Sequence, residues 1–282
     1  MGRMTWEEAV VWLRSQPEYR ELVSQCYYDD PPEKSAERYY QSEEWSAVRS
    51  VLGNRMHGRV LDVGAGRGIS SFAFAREGCQ VTALEPDRST VVGTGAIQQI
   101  VDKHPKLKIE ICTEFAERLP FPDDSFDIVY GRAVMHHARD LAGFCSECAR
   151  VLKKGGVFLG TREHVVESAA DRDIFLANHP LHRHYGGENA FPRQEYHNAL
   201  TAAGLRIARS FGPFETPINY APLTGRQMDV ILVDRIVSMY KIPSFLVSLL
   251  LRIRVVHRYA SHMLSEMDTT PGRHYSFLAV KS

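Results

Sequence analysis

The stretch Val60-Leu61-Asp62-Val63-Gly64-Ala65-Gly66-Arg67-Gly68 constrains this chain most: a short apolar run enters three glycines within five positions, and a helical pattern follows from Ile69 to Arg76. A strand that is apolar along its length is buried on both faces. Glycines at its end let the backbone take positive φ and approach a ligand closely. Together they define a βα unit whose turn opens at the edge of a sheet. The spacing also argues against two nucleotide readers. The dinucleotide pattern Gly-x-Gly-x-x-Gly needs a glycine where Ile69 stands, and a phosphate-binding loop needs a Gly-Lys-Ser/Thr that does not follow.

Further apolar runs follow at Gln80 to Leu84, Lys108 to Cys112, Phe126 to Tyr130 and Val157 to Thr161, with helical patterns at Arg88 to Asp102 and Leu141 to Leu152. Repeated βαβ units predict a doubly wound, mostly parallel α/β sheet covered by helices on both faces. Runs at Leu205 to Ser210 and Tyr275 to Val280, after a helix from Arg193 to Ala203, bring the expected strands to seven. The organisation read from this pattern is a helical, aromatic-rich amino-terminal extension over 1–50 and an α/β core over 51–211. A polar, His-rich insertion occupies 162–192, a partly helical insertion 212–270, and the last strand lies in 271–282.

With 282 residues, 44% of them apolar, the chain can bury one substantial core. Lys plus Arg and Asp plus Glu balance at 34 each, which argues against a nucleic-acid partner. The start, Met1-Gly2-Arg3-Met4-Thr5-Trp6-Glu7-Glu8, lacks the apolar segment of a secretory signal, so a cytoplasmic location is expected. The apolar run Phe245 to Leu251 is far shorter than the roughly 20 residues of a membrane-spanning helix. Five cysteines at irregular spacing read as reduced thiols, and Cys145 with Cys148 falls inside a helix without a partner pair.

The glycine loop resembles motif I of the class I S-adenosylmethionine (AdoMet)-dependent methyltransferases, in particular the group of small-molecule enzymes that includes ubiquinone-biosynthesis methyltransferases. The resemblance extends over about residues 55 to 165. It includes Ala116-Glu117-Arg118-Leu119-Pro120-Phe121-Pro122 before the fourth strand, Gly131-Arg132-Ala133-Val134-Met135-His136-His137 after it, and Glu147-x-x-Arg150-Val151-Leu152-Lys153-x-Gly155-Gly156 before the fifth. It implies AdoMet as cofactor, with Gly64, Ala65 and Gly66 cradling its methionine half, Asp62 near the amino group and Gly131 lining the site. Glu85 ends the second strand about 20 residues past the glycines, where an acid accepts both ribose hydroxyls. The family's usual acid before the alanine is replaced by Phe115, so the adenine falls to Phe115 stacking, to Glu114, or to the amide of Ala116. A non-catalytic scaffold or regulator on the same fold is the alternative, and a nicotinamide-dependent oxidoreductase is opposed by the glycine spacing.

The resemblance implies methyl transfer to a small-molecule acceptor. Alignment and water exclusion supply most of such catalysis, and a histidine helps where the acceptor is a hydroxyl. Candidates are His164, expected just past the fifth strand, and His182 and His184 in His179-Pro180-Leu181-His182-Arg183-His184-Tyr185-Gly186-Gly187-Glu188-Asn189. His136 and His137 read as packing residues. His182, His184 and Glu188 lack metal-site spacing, so no metal is expected. The aromatic amino-terminal helices fit a lid and ordinary core equally. The apolar, Arg-punctuated segment 242–258 is expected to be a buried helix, with an acceptor wall, a contact between copies of the chain or a membrane-surface contact as its other readings.

Overall fold

The computed structural model describes residues 4–282; Met1, Gly2 and Arg3 of the opening stretch lie outside the described residues. Eight strands form one sheet: β1 (Arg59–Val63), β2 (Gln80–Leu84), β3 (Ile109–Cys112), β4 (Phe126–Arg132), β5 (Leu152–Val166), β6 (Phe191–Pro192), β7 (Leu205–Phe211) and β8 (Arg273–Lys281). Their order is β3-β2-β1-β4-β5-β8-β7, with the two-residue β6 paired to β5. β8 pairs antiparallel with both β5 and β7, and the strands from β3 to β5 pair in parallel. The seven expected strands are present, and β6 is an addition.

β5 is three times the length of β1, running to Val166 rather than stopping near Thr161. The cause is long-range. β8 continues alongside it, pairing Tyr275 with Glu163, His274 with His164 and Arg273 with Val165 after a register shift at Arg162, whose φ is +58°. His164 therefore stands within β5, not past its end, and the insertion between β5 and the helix Arg193–Ala202 begins at Glu167.

Each sheet face carries its own apolar core. On one, Phe72 and Phe74 of the helix Ile69–Arg76 meet Tyr39, Trp45, Val48 and Leu52 from the amino-terminal helices Pro32–Tyr40 and Glu43–Leu52. On the other, Phe144, Cys145 and Cys148 of the helix Leu141–Val151 meet Tyr196, Leu200 and Phe277. The helix Ile69–Arg76 is buried all round except at its last residue, as expected of a helix between sheet and helices. The amino-terminal extension thus divides. Its last two helices are core, whereas Trp6–Ser15 and Arg20–Gln25 make a separate cap in which Leu13 and Val23 meet Leu181, with Trp6, Trp12 and Tyr185 around them.

The segment 242–258 departs from the buried helix expected of it. In the helix Ser244–Leu251 only Val247 and Leu251 are buried, while Phe245 is 69% exposed and Leu249 58%. With two more helices, Gly225–Tyr240 and Arg254–Met267, it forms a lobe with its own small core around Leu232 and Leu264. The lobe is too thin to cover both sides of an eight-residue helix. Among the described residues no helix is long and apolar enough to cross a membrane.

One ion pair ties the amino-terminal helices to the sheet. Arg132 at the end of β4 donates to both oxygens of the buried Glu44, Nε at 2.7 Å and Nη2 at 3.1 Å, between the rings of Tyr27 and Tyr39. Removing one partner of such a pair leaves a buried charge uncompensated, at a cost of about 3–5 kcal/mol. Glu44→Ala should lower stability by that amount in urea titration, and a loss below about 1 kcal/mol would show that the pair behaves like an exposed one.

Candidate active site

β1 and β4 end side by side, with Val63 paired to Gly131. The loop that leaves β1 is held by Ala65, whose N–H donates to the Leu84 carbonyl at 3.0 Å. Gly64 takes φ +64°, and a Cβ there would lie 2.3 Å from Val134 Cγ2. Gly131 meets the same side chain, at 2.6 Å for a hypothetical Cβ, so both glycines admit Val134. Gly66 differs. Its φ is +52°, yet a Cβ would meet nothing nearer than the Val92 carbonyl at 3.9 Å. The backbone there borders open space.

Two carboxylates flank this loop, Asp62 buried and Glu85 half-buried. Asp62 accepts from the hydroxyls of Ser70 (2.8 Å) and Ser71 (2.5 Å) through Oδ2, while Oδ1 is buried with no partner. Glu85 accepts from the N–H of Gly66 at 2.8 Å and of Asp87 at 2.9 Å. It does not cap the next helix, which starts at Thr94. Burial raises Asp62 to about 6, against the hydroxyl bonds that lower it, and raises Glu85 to about 7, against its two backbone bonds. Neither forms an ion pair among the described residues. Phe115 is 66% exposed in the loop after β3, with Glu114 also exposed and Ala116 half-buried.

The chain after β4 passes from this loop to a second cluster. Ala133 takes φ +54°, and the carboxylate of Glu163, fully buried on β5, then accepts from the N–H groups of Val134, Met135 and His136 at 3.1, 3.2 and 3.0 Å. It also holds Nδ1 of His136 at 2.7 Å. Beyond His136 stand His164, His137 and Glu188, whose Oε2 lies 3.5 Å from His136 Nε2 and 3.9 Å from His137 Nε2. Burial alone would lower His136, but Glu163 first and then Glu188 lift it to about 9. His164 is pushed well below the usual histidine range by burial and then by the charge on His136.

Of the histidines expected to serve the acceptor, only His164 is in this cluster. The ring of His184 rests on Trp12 of the cap with centroids 4.3 Å apart, and the His182 N–H donates to His179. His182, His184 and Glu188 therefore do not converge. His136 and His137, read as packing residues, stand beside His164 instead. Glu163 and Arg67 were not singled out. Arg67 joins the glycine loop to the amino-terminal segment, donating from Nη1 to the carbonyls of Tyr27 (2.7 Å) and Asp29 (2.8 Å). Glu163 carries little sequence signal, because it stands among the polar residues Thr161, Arg162 and His164 between two apolar runs.

A methyltransferase domain model matches residues 61–160, which contain both the glycine loop and Gly131. A ubiquinone biosynthesis O-methyltransferase of Rhizobium leguminosarum bv. trifolii is 30% identical over 177 residues, covering 61% of this chain and 68% of that protein. The chain belongs to the class I AdoMet-dependent methyltransferases. A probable S-adenosylmethionine-dependent methyltransferase of Mycolicibacterium smegmatis is 32% identical over 181 residues, 64% of each chain. The YcgJ protein of Bacillus subtilis shares the fold, with TM-score 0.55 at 21% identity over 84% of this chain and 97% of that one. This methyltransferase is thus an enzyme that moves a methyl group to a small-molecule acceptor, in a family that uses AdoMet.

The raised Glu85 gives the methyltransferase a pH signature. A carboxyl whose folded pKa exceeds its unfolded one contributes stability below the unfolded value, and that contribution is lost as pH rises through the folded value, here between about 4.5 and about 7. Without added ligand, Glu85→Gln should therefore gain stability relative to the parent as urea titrations move from pH 5 to pH 7. Parallel curves for the two proteins would show that Glu85 ionises freely.

Proposed function

We propose that the loop Gly64-Ala65-Gly66, with Asp62 and Glu85, holds AdoMet, and that the methyl group passes to a hydroxyl oxygen placed against His164. The observation that carries this reading is a pair of carboxylates without cationic partners, Asp62 buried and Glu85 half-buried, beside an open glycine loop. The orphaned Oδ1 of Asp62 suits an ammonium group, the Glu85 carboxylate suits a vicinal diol, and the free face beside Gly66 leaves room for the ligand's backbone-like portion. Phe115 would cover the adenine, with the Ala116 amide or Glu114 at its edge, and Gly131 would keep Val134 in place beneath the site. When bound, AdoMet supplies a methyl group on a positively charged sulfur.

The chain's own residues supply position. Val134 packs on Gly64 and His136 lies two residues on, a separation of at most about 7 Å of chain. The cofactor loop and the histidine cluster are therefore neighbours. His164 donates Nδ1–H to the Gly272 carbonyl at 2.9 Å, since a carbonyl only accepts, and this leaves Nε2 with a free lone pair. A hydroxyl docked there is oriented by donating to Nε2. The similarity to an O-methyltransferase supports oxygen as the acceptor atom.

Calorimetry with AdoMet tests the cofactor side. Glu85→Ala should weaken binding by about 1.5–3 kcal/mol, the worth of hydrogen bonds to a charged group, and Gly66→Leu should abolish it in a protein that remains folded. Parental affinity in both variants would move the cofactor elsewhere. On the acceptor side, with a hydroxylated substrate found by screening, His164→Ala should slow single turnover about 10²–10⁴-fold at near-parental AdoMet affinity, whereas His184→Ala should not.

A further inference from the structure

Three histidines beside Glu188 share one arrangement. His136 holds Glu163 through Nδ1 at 2.7 Å, His164 holds the Gly272 carbonyl at 2.9 Å, and His137 holds the Gly187 carbonyl at 3.0 Å. A carbonyl accepts only, so Nδ1 of His164 and of His137 carries the proton and Nε2 keeps its lone pair. One nitrogen each of His136 and His164 and one oxygen of Glu188 lie within 4.8 Å of one another. Lone pairs and a carboxylate oxygen are all acceptors. His136 and Glu188 are buried and His164 is half-buried, and acceptors turned toward one another there favour a positive charge between them.

A proton on His136, shared by Glu163 and Glu188, satisfies that one ring. It leaves the lone pair of His164 facing the same carboxylate without a donor. We propose that His136, His164 and Glu188 form a binding site for a divalent transition-metal ion, with His137 at its rim. Two imidazoles and a carboxylate are a donor set for zinc or iron(II), with coordination positions left open, and imidazole nitrogen disfavours magnesium and calcium. The Nδ1 partners are what such sites require, because an acceptor on the far nitrogen fixes the ring's tautomer and direction. The side chains would close to about 2.0–2.2 Å from the ion, with His136 Nε2 and Glu188 Oε2 already 3.5 Å apart.

Binding of the ion is independent of the methyl-transfer reading. Its role rests on that reading and changes one part of it: with the ion bound, Nε2 of His164 is a ligand, and the acceptor hydroxyl, instead of donating to it, coordinates at an open position and loses its proton to solvent more readily. The amino-acid pattern alone led to the opposite expectation, because the three ligands come from three distant segments.

The test uses the full chain stripped of metal with chelator. Titration with Co(II) should produce a visible ligand-field band that saturates at one equivalent, and Zn(II) should displace it, while Mg(II) should not. His164→Ala and Glu188→Gln should each weaken Co(II) binding at least tenfold, and His184→Ala should bind as the parent does. If His164→Ala does not fold, Glu188→Gln decides. No Co(II) band in the parent, or parental binding in Glu188→Gln, would overturn the site. AdoMet calorimetry on the same stripped protein reports the cofactor loop separately, so a missing metal site and a misplaced cofactor give different results.

Discussion

The carboxylate of Glu163 holds the active-site side of this enzyme together. It is fully buried and takes four donors from one short segment: three consecutive backbone N–H groups and the ring of His136. An ionised carboxyl without partners is costly to bury, and one with a full set of donors is a rigid anchor. Here the anchor allows the chain to leave β4 through the strained φ of Ala133. Val134 is thereby set on the glycine loop and His136 in the histidine cluster. This one side chain thus fixes the turn that joins the glycine loop to the histidine cluster.

The charges around the cleft are distributed unevenly, and the unevenness carries functional information. Most carboxylates of the described chain with a perturbed pKa have a cationic partner, as Asp29 has Arg38 and Glu147 has Arg150. Asp62 and Glu85 have only neutral donors, and burial leaves both harder to ionise than usual. A ligand that brings positive charge meets carboxylates already placed and little hydrated, where electrostatic attraction is less screened than in water. A buried acid without a cationic partner, such as Asp62, serves no fold as well as an apolar residue would. Its retention fits a cationic cofactor.

Much of the fold was legible because its signals are local. The apolar runs of β1, β2, β4 and β7 and the glycine turn appear in windows of five to nine residues, where period and turn chemistry speak directly. What escaped depends on partners far along the chain. The extra length of β5 is imposed by β8 more than a hundred residues later. The exposure of Phe245 and Leu249 follows from how little of the carboxy-terminal lobe remains to cover them. The helix Glu43–Leu52 looks like the rest of the aromatic extension in composition, and only its packing against Phe74 makes it core. At the site the division is the same. Asp62, Gly66 and Glu85 sit in a motif, whereas His136, His164 and Glu188 are brought together by β5, by the turn after β4 and by a loop.

The amino-terminal segment is tied to the rest of the chain at two places. Arg67 fastens residues 27 to 30 to the glycine loop. At the other end Trp6 packs on Tyr185 with centroids 4.6 Å apart, and the hydroxyl of Tyr185 donates to Glu188. The amino-terminal segment is therefore joined to the glycine loop through a guanidinium and to the histidine cluster through a phenol. Water exclusion from a methyl-transfer site requires cover over both sides at once. A cap held only at the glycine loop would leave Glu188 free to swing toward solvent, and one held only at Tyr185 would open the loop. The aromatic extension divides along the chain: Trp6, Leu13 and Val23 pack with Leu181 and Tyr185, whereas Tyr27 and the residues from Ala36 onward join the sheet's core.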